Sequence, residues 1–449
     1  MKLNAMKTTR RWFLRHATAA VAAVSVVPSY VLGLQGATSP NNKLNIACIG
    51  IAGRGADDLN GVSLENIVAL CDVDSRRSAA TFKKFPQAKP YQDFRRLLDE
   101  VGKQIDAVVV ATPDHTHAVA LMRAIKIGKH VYSEKPLAHS IHEVRELVKA
   151  AHRYQVVTQL GNHGHSFDSI RTFVEWIKDG AIGTVREVHA MCGSSYGRLD
   201  QVEKVKEGQP VPEGLNWDLW LGPAQFRPYH SAYVPGRWRG WRPFGTGVLG
   251  DWTCHVIDPV FWALDLDAPT RIAAETFEYD PKKHFDTFPA ETVIHYDFPA
   301  RGQRPAVKVI WYDGGRRPPR PEELEPGKQL PDIGALVVGD KGKIIYGSHG
   351  AGNLRLIPAS RMQEYQKPAP TIPRSPGHHE EWIAACKGGK PTGSNFNYGG
   401  PLTEVALVGA IATLFKDQPL EWNSKAAKFT NCPEANRYIN PPYRRGWSL

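Results

Sequence analysis

The sequence lacks the cysteine patterns that bind metals or build a disulfide framework. It has only 6 cysteines in 449 residues, and none of them shows C-x-x-C or metal-ligand spacing. Cys48 and Cys71 lie inside apolar stretches typical of strands, where a cysteine is usually a small buried hydrophobic residue. Neither a zinc finger nor a disulfide-dependent fold is therefore expected.

A basic run of the kind that binds nucleic acid is also missing. The net charge is +11, but residues 1–33 hold basic residues and no acidic one, and the other basic residues are dispersed along the chain. The sequence shows no RNP signature and no long basic helix. A nucleic-acid partner is therefore not expected.

The N-terminal apolar stretch, residues 17–27, is too short to cross a bilayer, which takes roughly 20 residues. No stable membrane anchor is predicted from it. The stretch follows TRRWFLR at 9–15, which fits the twin-arginine export pattern, and small residues suited to cleavage come after it. Residues 1–37 are therefore predicted to be a twin-arginine signal peptide and leader, which would carry the folded protein to the periplasm or otherwise out of the cytoplasm. A basic amphipathic arm is the alternative.

From Leu44 onward, short β-branched stretches alternate with helical ones. This alternation predicts parallel βαβ units and a doubly wound α/β sheet, a Rossmann domain at residues 42–165. After Gly183, apolar and polar residues alternate with a period of two, which predicts a large, mostly antiparallel sheet. We expect it in a C-terminal α/β domain for substrate binding and oligomerisation at residues 166–430, followed by a tail at 431–449.

A glycine-rich turn, GIAGRG at 50–55, follows the first predicted strand and begins a helical stretch. Backbone amides and the helix N-terminus of such a turn can hold a pyrophosphate. Gly50 and Gly55 fit the first and third positions of G-x-G-x-x-G, but Ala52 stands at the second, with Gly53 beside it. The methyl group of Ala52 would crowd a pyrophosphate unless Gly53 provides the close approach.

Asp72 ends the second predicted strand, about 20 residues after the glycine turn. A carboxylate there would accept hydrogen bonds from the ribose hydroxyls and repel a 2′-phosphate. The predicted cofactor is therefore NAD, with NADP a weaker alternative because Arg76 and Arg77 are close by.

Three further motifs follow predicted strands or lie in the second half of the chain: ATPDHTHA at 111–118, SEKPLA at 133–138 and GTGVLGDWTCHVID at 245–258. Together with the glycine turn and Asp72, they resemble the Gfo/Idh/MocA oxidoreductases, whose signatures include Glu-Lys-Pro and Asp-x-x-x-His. WDLWLGPA at 217–224 is similar to an often exported bacterial branch of that family. Ala52 is the one departure from the pattern.

The resemblance implies where chemistry takes place. His255 is the expected base for a sugar hydroxyl, and Asp251 would orient its ring or share the proton. Lys135 would place a positive charge beside the reacting oxygen. Taken alone, Asp251 could instead cap a helix. The implied cofactor contacts are Gly50, Ala52, Gly53, Arg54, Gly55, Asp72, Thr112, Pro113, His117, Glu134 and Lys135.

Two other groups are predicted to contact the substrate. Asn162, His163 and His165 belong to GNHGHS, near the expected cleft. Two histidines could also hold a metal, but no acidic partner is evident, so no metal is predicted. Trp238 and Arg239 belong to an aromatic, arginine-rich insert that could stack on sugar rings, or could form core or a subunit interface.

An exported dehydrogenase has no reliable external supply of NAD, so the cofactor is expected to stay tightly bound, as in exported family members such as glucose–fructose oxidoreductase. The main hypothesis is an NAD(P)-dependent oxidoreductase acting on a CH–OH group of a carbohydrate. One alternative is an NAD-dependent glycosidase that works by transient oxidation, elimination, hydration and re-reduction. A non-catalytic sugar-binding relative is the other. By family analogy, a homodimer or homotetramer is expected.

Overall fold

The structure is a computed structural model, and it describes residues 42–449 of the chain. The predicted signal peptide and leader, residues 1–37, lie outside the described residues.

Six short strands form the first sheet: β1 (Asn45–Ile49), β2 (Asn66–Cys71), β3 (Lys89–Tyr91), β4 (Ala107–Val110), β5 (His130–Ser133) and β6 (Thr158–Leu160). All neighbouring pairs are parallel, in the order β3-β2-β1-β4-β5-β6. The central strands are apolar and almost wholly buried, as expected when helices cover both faces. The predicted doubly wound Rossmann sheet is confirmed.

Helices connect these strands: α1 (Arg54–Gly61), α2 (Ser75–Lys84), α3 (Phe94–Val101), α4 (Asp114–Lys126) and α5 (Ile141–Tyr154). Local sequence explains where several of them begin. The Asp74 side chain accepts a hydrogen bond from the Arg76 amide, and Ser140 and Glu143 form a reciprocal capping box. Such caps end the strand-to-helix loops close to the carboxyl edge of the sheet.

The second half of the chain builds a larger sheet on α6 (Asp168–Lys178), α8 (Gly247–Val256) and neighbouring helices. Its elements, in chain order, are α6, β7 (Val185–Cys192), α7 (Trp217–Leu221), α8, α9 (Asp258–Ala263), β8 (Arg271–Phe277), β9 (Glu291–Phe298), β10 (Val307–Asp313), β11 (Ile333–Gly339), β12 (Gly342–Gly347), β13 (Gly352–Ile357), α10 (Ala359–Glu364), α11 (His378–Cys386), α12 (Phe396–Ala412), β14 (Leu420–Asn423) and β15 (Lys428–Phe429).

The nine strands run in the order β13-β12-β11-β7-β10-β9-β8-β14-β15. Every neighbouring pair is antiparallel except β7 and β10, which are parallel. The predicted mostly antiparallel sheet in a C-terminal α/β domain is therefore confirmed.

The chain returns to the first sheet near its C-terminal end. The Leu160 amide donates to the Ser394 carbonyl at 2.8 Å, and the Phe396 amide donates to Thr158 Oγ1 at 2.9 Å. Trp382 of α11 is buried in the core beneath β1. Residues from both sides of position 165 thus share one packed unit, and the predicted boundaries at 165 and 430 stay predictions.

Helix α12 is long and apolar enough, by composition alone, to cross a membrane. Most of it is buried inside the fold, where it packs against α5 and α8. Its apolar surface on all sides is what a helix in the core of a large protein requires.

Candidate active site

A cavity of 370 Å³ opens at the carboxyl edge of the parallel sheet. In doubly wound folds, this edge is where ligands bind. One wall consists of the glycine turn and the ends of β2, β4 and β5, and the opposite wall comes from the aromatic insert. The predicted residues on the walls are Gly50, Ala52, Gly53, Arg54, Asp72, Thr112, Pro113, Glu134, Lys135, Trp238 and Arg239.

The glycine turn has the shape that a bound dinucleotide needs. A Cβ at Gly55 would lie 1.9 Å from the Gly50 carbonyl oxygen, so only glycine allows α1 to pack this closely on β1. Gly53 has a φ of +58° and borders open space. A Cβ added at Gly53 would have a single neighbour within van der Waals range, the Arg77 side chain at 3.5 Å. The turn therefore leaves room for a pyrophosphate at Gly53, beside the methyl group of Ala52.

Asp72 faces both the turn and the cavity. Its carboxylate accepts hydrogen bonds from the Ile51 amide at 3.1 Å and the Asp74 amide at 2.9 Å. Burial raises the pKa of Asp72, while these two hydrogen bonds act against the increase. Arg76 is engaged by Asp74, with Nη2 and Oδ2 2.7 Å apart. These contacts suit a carboxylate that holds the glycine turn in place and accepts hydrogen bonds from a ribose.

The aromatic insert is joined to the end of β2. Leu215 forms an antiparallel bridge with Asp74, and the Asn216 amide donates to the Val73 carbonyl at 2.9 Å. The Ser75 amide donates to the Gly214 carbonyl, also at 2.9 Å. The insert therefore covers the cavity on the side where Asp72 lies, and its Trp238 and Arg239 line the cavity; their contact with substrate stays a prediction.

Lys135 and Asp251 form the centre of an ion-pair network. Lys135 Nζ donates to Asp251 Oδ1 at 2.5 Å and to the Asp251 carbonyl at 3.0 Å. Arg239 Nε donates to the same carboxylate at 3.1 Å, and the Tyr196 hydroxyl donates to Oδ2 at 2.5 Å. Burial alone would raise the pKa of Asp251, but the two cations outweigh it and hold that pKa well below its usual range.

Asp251 therefore stays ionised and orients Lys135 and Arg239. The prediction that it orients the His255 ring is not supported by these contacts, because all its described hydrogen bonds go to other residues.

His255 is buried, and among the described residues its Nδ1 has no hydrogen-bond partner. Burial, followed by the charge of Lys135, lowers its pKa well below the usual value. It is therefore a neutral imidazole in the folded protein. His349 contacts it, with ring centres 4.2 Å apart, and lies in the β12–β13 turn with a φ of +57°. No motif in the sequence pointed to His349.

Five predicted contacts do not line the cavity: Gly55, His117, Asn162, His163 and His165. Both ring nitrogens of His117 face backbone carbonyl oxygens. Nδ1 lies 2.9 Å from the Pro136 oxygen, and Nε2 lies 2.7 Å from the Thr112 oxygen. As a correction to the predicted substrate contacts, Asn162 and His165 are buried and bind Asp258, at 3.1 and 3.0 Å. These side chains hold loops together, because each of them is bound by protein partners from distant parts of the described chain.

His163 lies in a different environment from its neighbours. Its Nε2 is 3.5 Å from Asp58 Oδ1 and 3.6 Å from Glu134 Oε1, and it contacts the Arg54 guanidinium. Burial lowers its pKa, but hydrogen bonds to the two carboxylates raise it overall. His379 Nε2 is 3.3 Å from the same Asp58 oxygen. No pattern in the sequence pointed to Asp58 or His379. Asp58 is an ordinary position in a helix, and His379 lies 321 residues further along the chain.

Two family models match the chain. The model of the Gfo/Idh/MocA oxidoreductase family's NAD-binding Rossmann fold matches residues 44–162, and the model of its C-terminal α/β domain matches residues 169–301. The structural neighbours agree with the fold. The NADH complex of the WlbA dehydrogenase from Bordetella pertussis has a TM-score of 0.58 at 16% identity, covering 85% of this chain and 99% of that one. An aldose–aldose oxidoreductase from Caulobacter crescentus has a TM-score of 0.55 at 16% identity, covering 85% and 100%.

Among curated proteins, the chain is similar to 1,5-anhydro-D-fructose reductase of Ensifer adhaerens, with 26% identity over 46% of this chain and 51% of that protein. It is also similar to inositol 2-dehydrogenase of Salmonella typhimurium, with 30% identity over 40% and 54%. The chain thus spans about half the length of the curated relatives it matches. With the glycine turn, Asp72 and the Lys135–Asp251 pair at one sheet edge, these matches lead to one conclusion: the chain belongs to the Gfo/Idh/MocA oxidoreductase family, and its first domain binds NAD.

Proposed function

We propose that this protein is an oxidoreductase that uses bound NAD to act on a CH–OH group of a sugar or sugar derivative. The observation that carries the proposal is the ion pair between Lys135 on the cavity wall and Asp251 of α8. His255 follows one helical turn later on α8, where it is buried and its Nδ1 has no hydrogen-bond partner among the described residues. A base without a proton and a fixed positive charge are what oxidation of an alcohol requires.

Each residue then has a defined part. NAD supplies the hydride acceptor when it is bound on the glycine turn. His255 takes the proton of the substrate hydroxyl, and Lys135 stabilises the negative charge that develops on the oxygen. Asp251 is a positioning residue, because it holds Lys135 and Arg239 in place through three hydrogen bonds.

The substrate class is supported by the relatives and by one feature of the cavity. The relatives' names include a sugar reductase, an inositol dehydrogenase and an aldose oxidoreductase. In this chain, the Arg239 guanidinium lies 4.3 Å from the centre of the Trp238 ring, on the wall opposite the glycine turn. An aromatic face beside a fixed donor suits a sugar ring and its hydroxyls.

We further propose that the protein is exported by the twin-arginine route with NAD already bound, and that it acts as a homodimer or homotetramer outside the cytoplasm. The TRRWFLR motif supports the route. The insert supports retention of the cofactor, because it covers the cavity beside Asp72 and is held there by backbone hydrogen bonds at Val73 and Ser75. Replacing Arg10 and Arg11 by lysine is expected to leave the protein in the cytoplasmic fraction.

The NAD-dependent glycosidase is the second candidate, and one observation favours it. Elimination after transient oxidation needs a second base, and His349 places another neutral imidazole against His255. A net change in the redox state of the products would support the oxidoreductase, whereas hydrolysis without such a change would support the glycosidase.

The test begins with the natively purified protein, which is denatured so that any released nucleotide can be identified by mass and absorbance. Aldoses, inositol and aryl glycosides are then offered, and reduction of the bound nucleotide is followed by absorbance. We expect Lys135→Ala to lower hydride transfer at least about 100-fold while retaining the nucleotide. The control is Lys149→Ala, which removes an exposed lysine paired with Glu146. Undiminished transfer in Lys135→Ala would refute the assignment.

A further inference from the structure

Asp58, His163 and His379 come from three separate elements and converge below the glycine turn. Asp58 belongs to α1, His163 to the short 3-10 helix His163–Ser166, and His379 to α11. One ligand atom of each lies within 4.8 Å of the other two. Two histidines and one carboxylate form a ligand set that zinc and other divalent transition metals accept.

The separations between these atoms indicate the coordination geometry. Asp58 Oδ1 is 3.5 Å from His163 Nε2 and 3.3 Å from His379 Nε2. Ligands bound at 2.0–2.1 Å to a tetrahedral zinc ion lie about 3.4 Å from one another, whereas an octahedral ion would bring them to about 3.0 Å. The two separations from Asp58 therefore match those of a tetrahedral site, and three protein ligands would leave one position open.

A second observation also points to a missing ligand. Asp58 is completely buried, and among the described residues its Oδ2 has no hydrogen-bond partner. A buried carboxylate oxygen without a partner is costly, so native proteins usually supply a hydrogen bond or a cation. Glu134 adds a further negative charge, 3.6 Å from His163.

In the structure, the Arg54 guanidinium supplies the positive charge. Its Nη2 donates to Asp58 Oδ1 at 3.0 Å and contacts His163, and its Nε donates to Glu134 at 3.1 Å. Arg54 is also the first residue of α1 and lines the cofactor cavity. A pyrophosphate on the glycine turn would offer this arginine two negative charges in place of Asp58.

We propose that Asp58, His163 and His379 form a zinc site. In the absence of cofactor, the Arg54 guanidinium occupies this site, and bound NAD frees it by drawing Arg54 toward the pyrophosphate. The exchange improves the balance of charge at the two carboxylates. Arg54 offsets one carboxylate when the cofactor is absent, whereas zinc offsets Asp58 and Glu134 while Arg54 pairs with the pyrophosphate. By reciprocity, zinc would also strengthen the binding of NAD.

The proposal is tested by metal binding alone, so it does not depend on the reaction the enzyme performs. The purified chain, stripped of metal and nucleotide, is equilibrated with zinc, and bound metal is counted by mass spectrometry with and without NAD. We expect one zinc per chain, bound about 10-fold more tightly when NAD is present. Cobalt in the same site should give the intense visible absorption of tetrahedral cobalt.

Four variants make the test decisive. Arg54→Ala should bind one zinc tightly without NAD, because the competing guanidinium is gone. Adding His379→Gln, or the more exposed His163→Gln, to that variant should abolish binding. His152→Ala, which removes an exposed histidine bound to Asn397, is the matched control and should bind zinc like the unaltered chain.

Failure of Arg54→Ala to bind zinc more tightly than the unaltered chain would overturn the site. So would zinc binding that survives both histidine replacements. A zinc affinity that NAD leaves unchanged would overturn the exchange with Arg54.

Discussion

The two ends of the cofactor cavity are built in different ways. At the cofactor end, the surface is made by the main chain: Gly50, Gly53 and Gly55 let backbone and ligand approach, and Asp72 accepts backbone amides. At the reaction end, the surface is made by side chains, with Lys135 and Asp251 joined by an ion pair across the two halves of the molecule.

The contrast shows that the two ends should fail in different ways. A backbone surface fails when an added atom takes up space, because main-chain atoms cannot move aside. A surface of paired charges fails when one partner is removed, because the remaining charge stays buried without compensation. Substitutions that add volume should therefore affect NAD affinity, and substitutions that remove charge should affect turnover.

The largest expected effect is at Gly55. In Gly55→Ala, the new methyl group would meet the Gly50 carbonyl oxygen at 1.9 Å, and relief of that clash would displace the turn. We expect NAD affinity to fall about 100-fold or more, measured by titration calorimetry on the nucleotide-free protein. Gly53→Ala, which meets only the strain of its positive φ, should lose about 10-fold. Equal losses in the two variants would contradict the account.

At the reaction end, Asp251→Asn removes the charge that holds Lys135 and Arg239. We expect turnover to fall about 100-fold, because both cations lose their fixed position, while NAD affinity stays close to that of the unaltered chain. Steady-state kinetics and calorimetry on the same preparation measure the two quantities. Asp297→Asn, at an exposed pair with Arg271, is the control. A parallel loss of NAD affinity would show that the two ends are not separable.

Asp313 sharpens the contrast, because it is a buried carboxylate that forms no ion pair within residues 42–449. Burial raises its pKa to about 7, although Trp311 Nε1 and the Thr292 amide donate to it. The folded protein therefore holds a proton that the unfolded chain, with an ordinary aspartate pKa near 3.9, releases. Asp313 contributes its full stabilisation at pH values below the pKa of the unfolded chain. This stabilisation is lost as the pH rises through the folded-state pKa of about 7.

Between pH 5 and 7, the unfolding free energy should fall by about 1 kcal/mol per pH unit more steeply in the unaltered chain than in Asp313→Asn. Urea unfolding at several pH values measures both slopes. Parallel curves for the two proteins would indicate that Asp313 titrates in its ordinary range.

The smallest effect is expected at Ala52. Because Gly53 borders open space, it can provide the close approach that the family pattern assigns to the second glycine. Ala52→Gly should therefore change NAD affinity by less than about 3-fold, measured as for Gly55→Ala. A larger gain would show that the methyl group of Ala52 crowds the pyrophosphate after all.

Features that depend on neighbouring residues were predictable from the sequence. The glycine turn, Asp72 and Lys135 each follow a strand whose apolar pattern is continuous, and the edge of a parallel sheet brings them together. The period-two pattern predicted the second sheet, but it carries no information on strand direction, so the parallel pairing of β7 with β10 could not be foreseen.

Features that depend on distant partners were not predictable. Asn162 and His165 were expected at the substrate, but Asp258 is more than 90 positions away and draws both of them inward. His349 and His379 reach the site from a turn and a helix far along the chain, and neither has a local pattern. Twin-arginine export stays a prediction, since its motif lies outside the described residues.

The return of the chain to β6 has a consequence for how the protein is made. In the edge strand of the nucleotide-binding sheet, the Leu160 amide donates to the Ser394 carbonyl and the Thr158 hydroxyl accepts from the Phe396 amide, and α11 covers the strand. A ribosome delivers the glycine turn early and this cover only near the end of translation. The first domain therefore cannot be completed in the order of its synthesis, as many N-terminal domains are. A prematurely ended chain would present an unfinished sheet edge rather than a working cofactor domain.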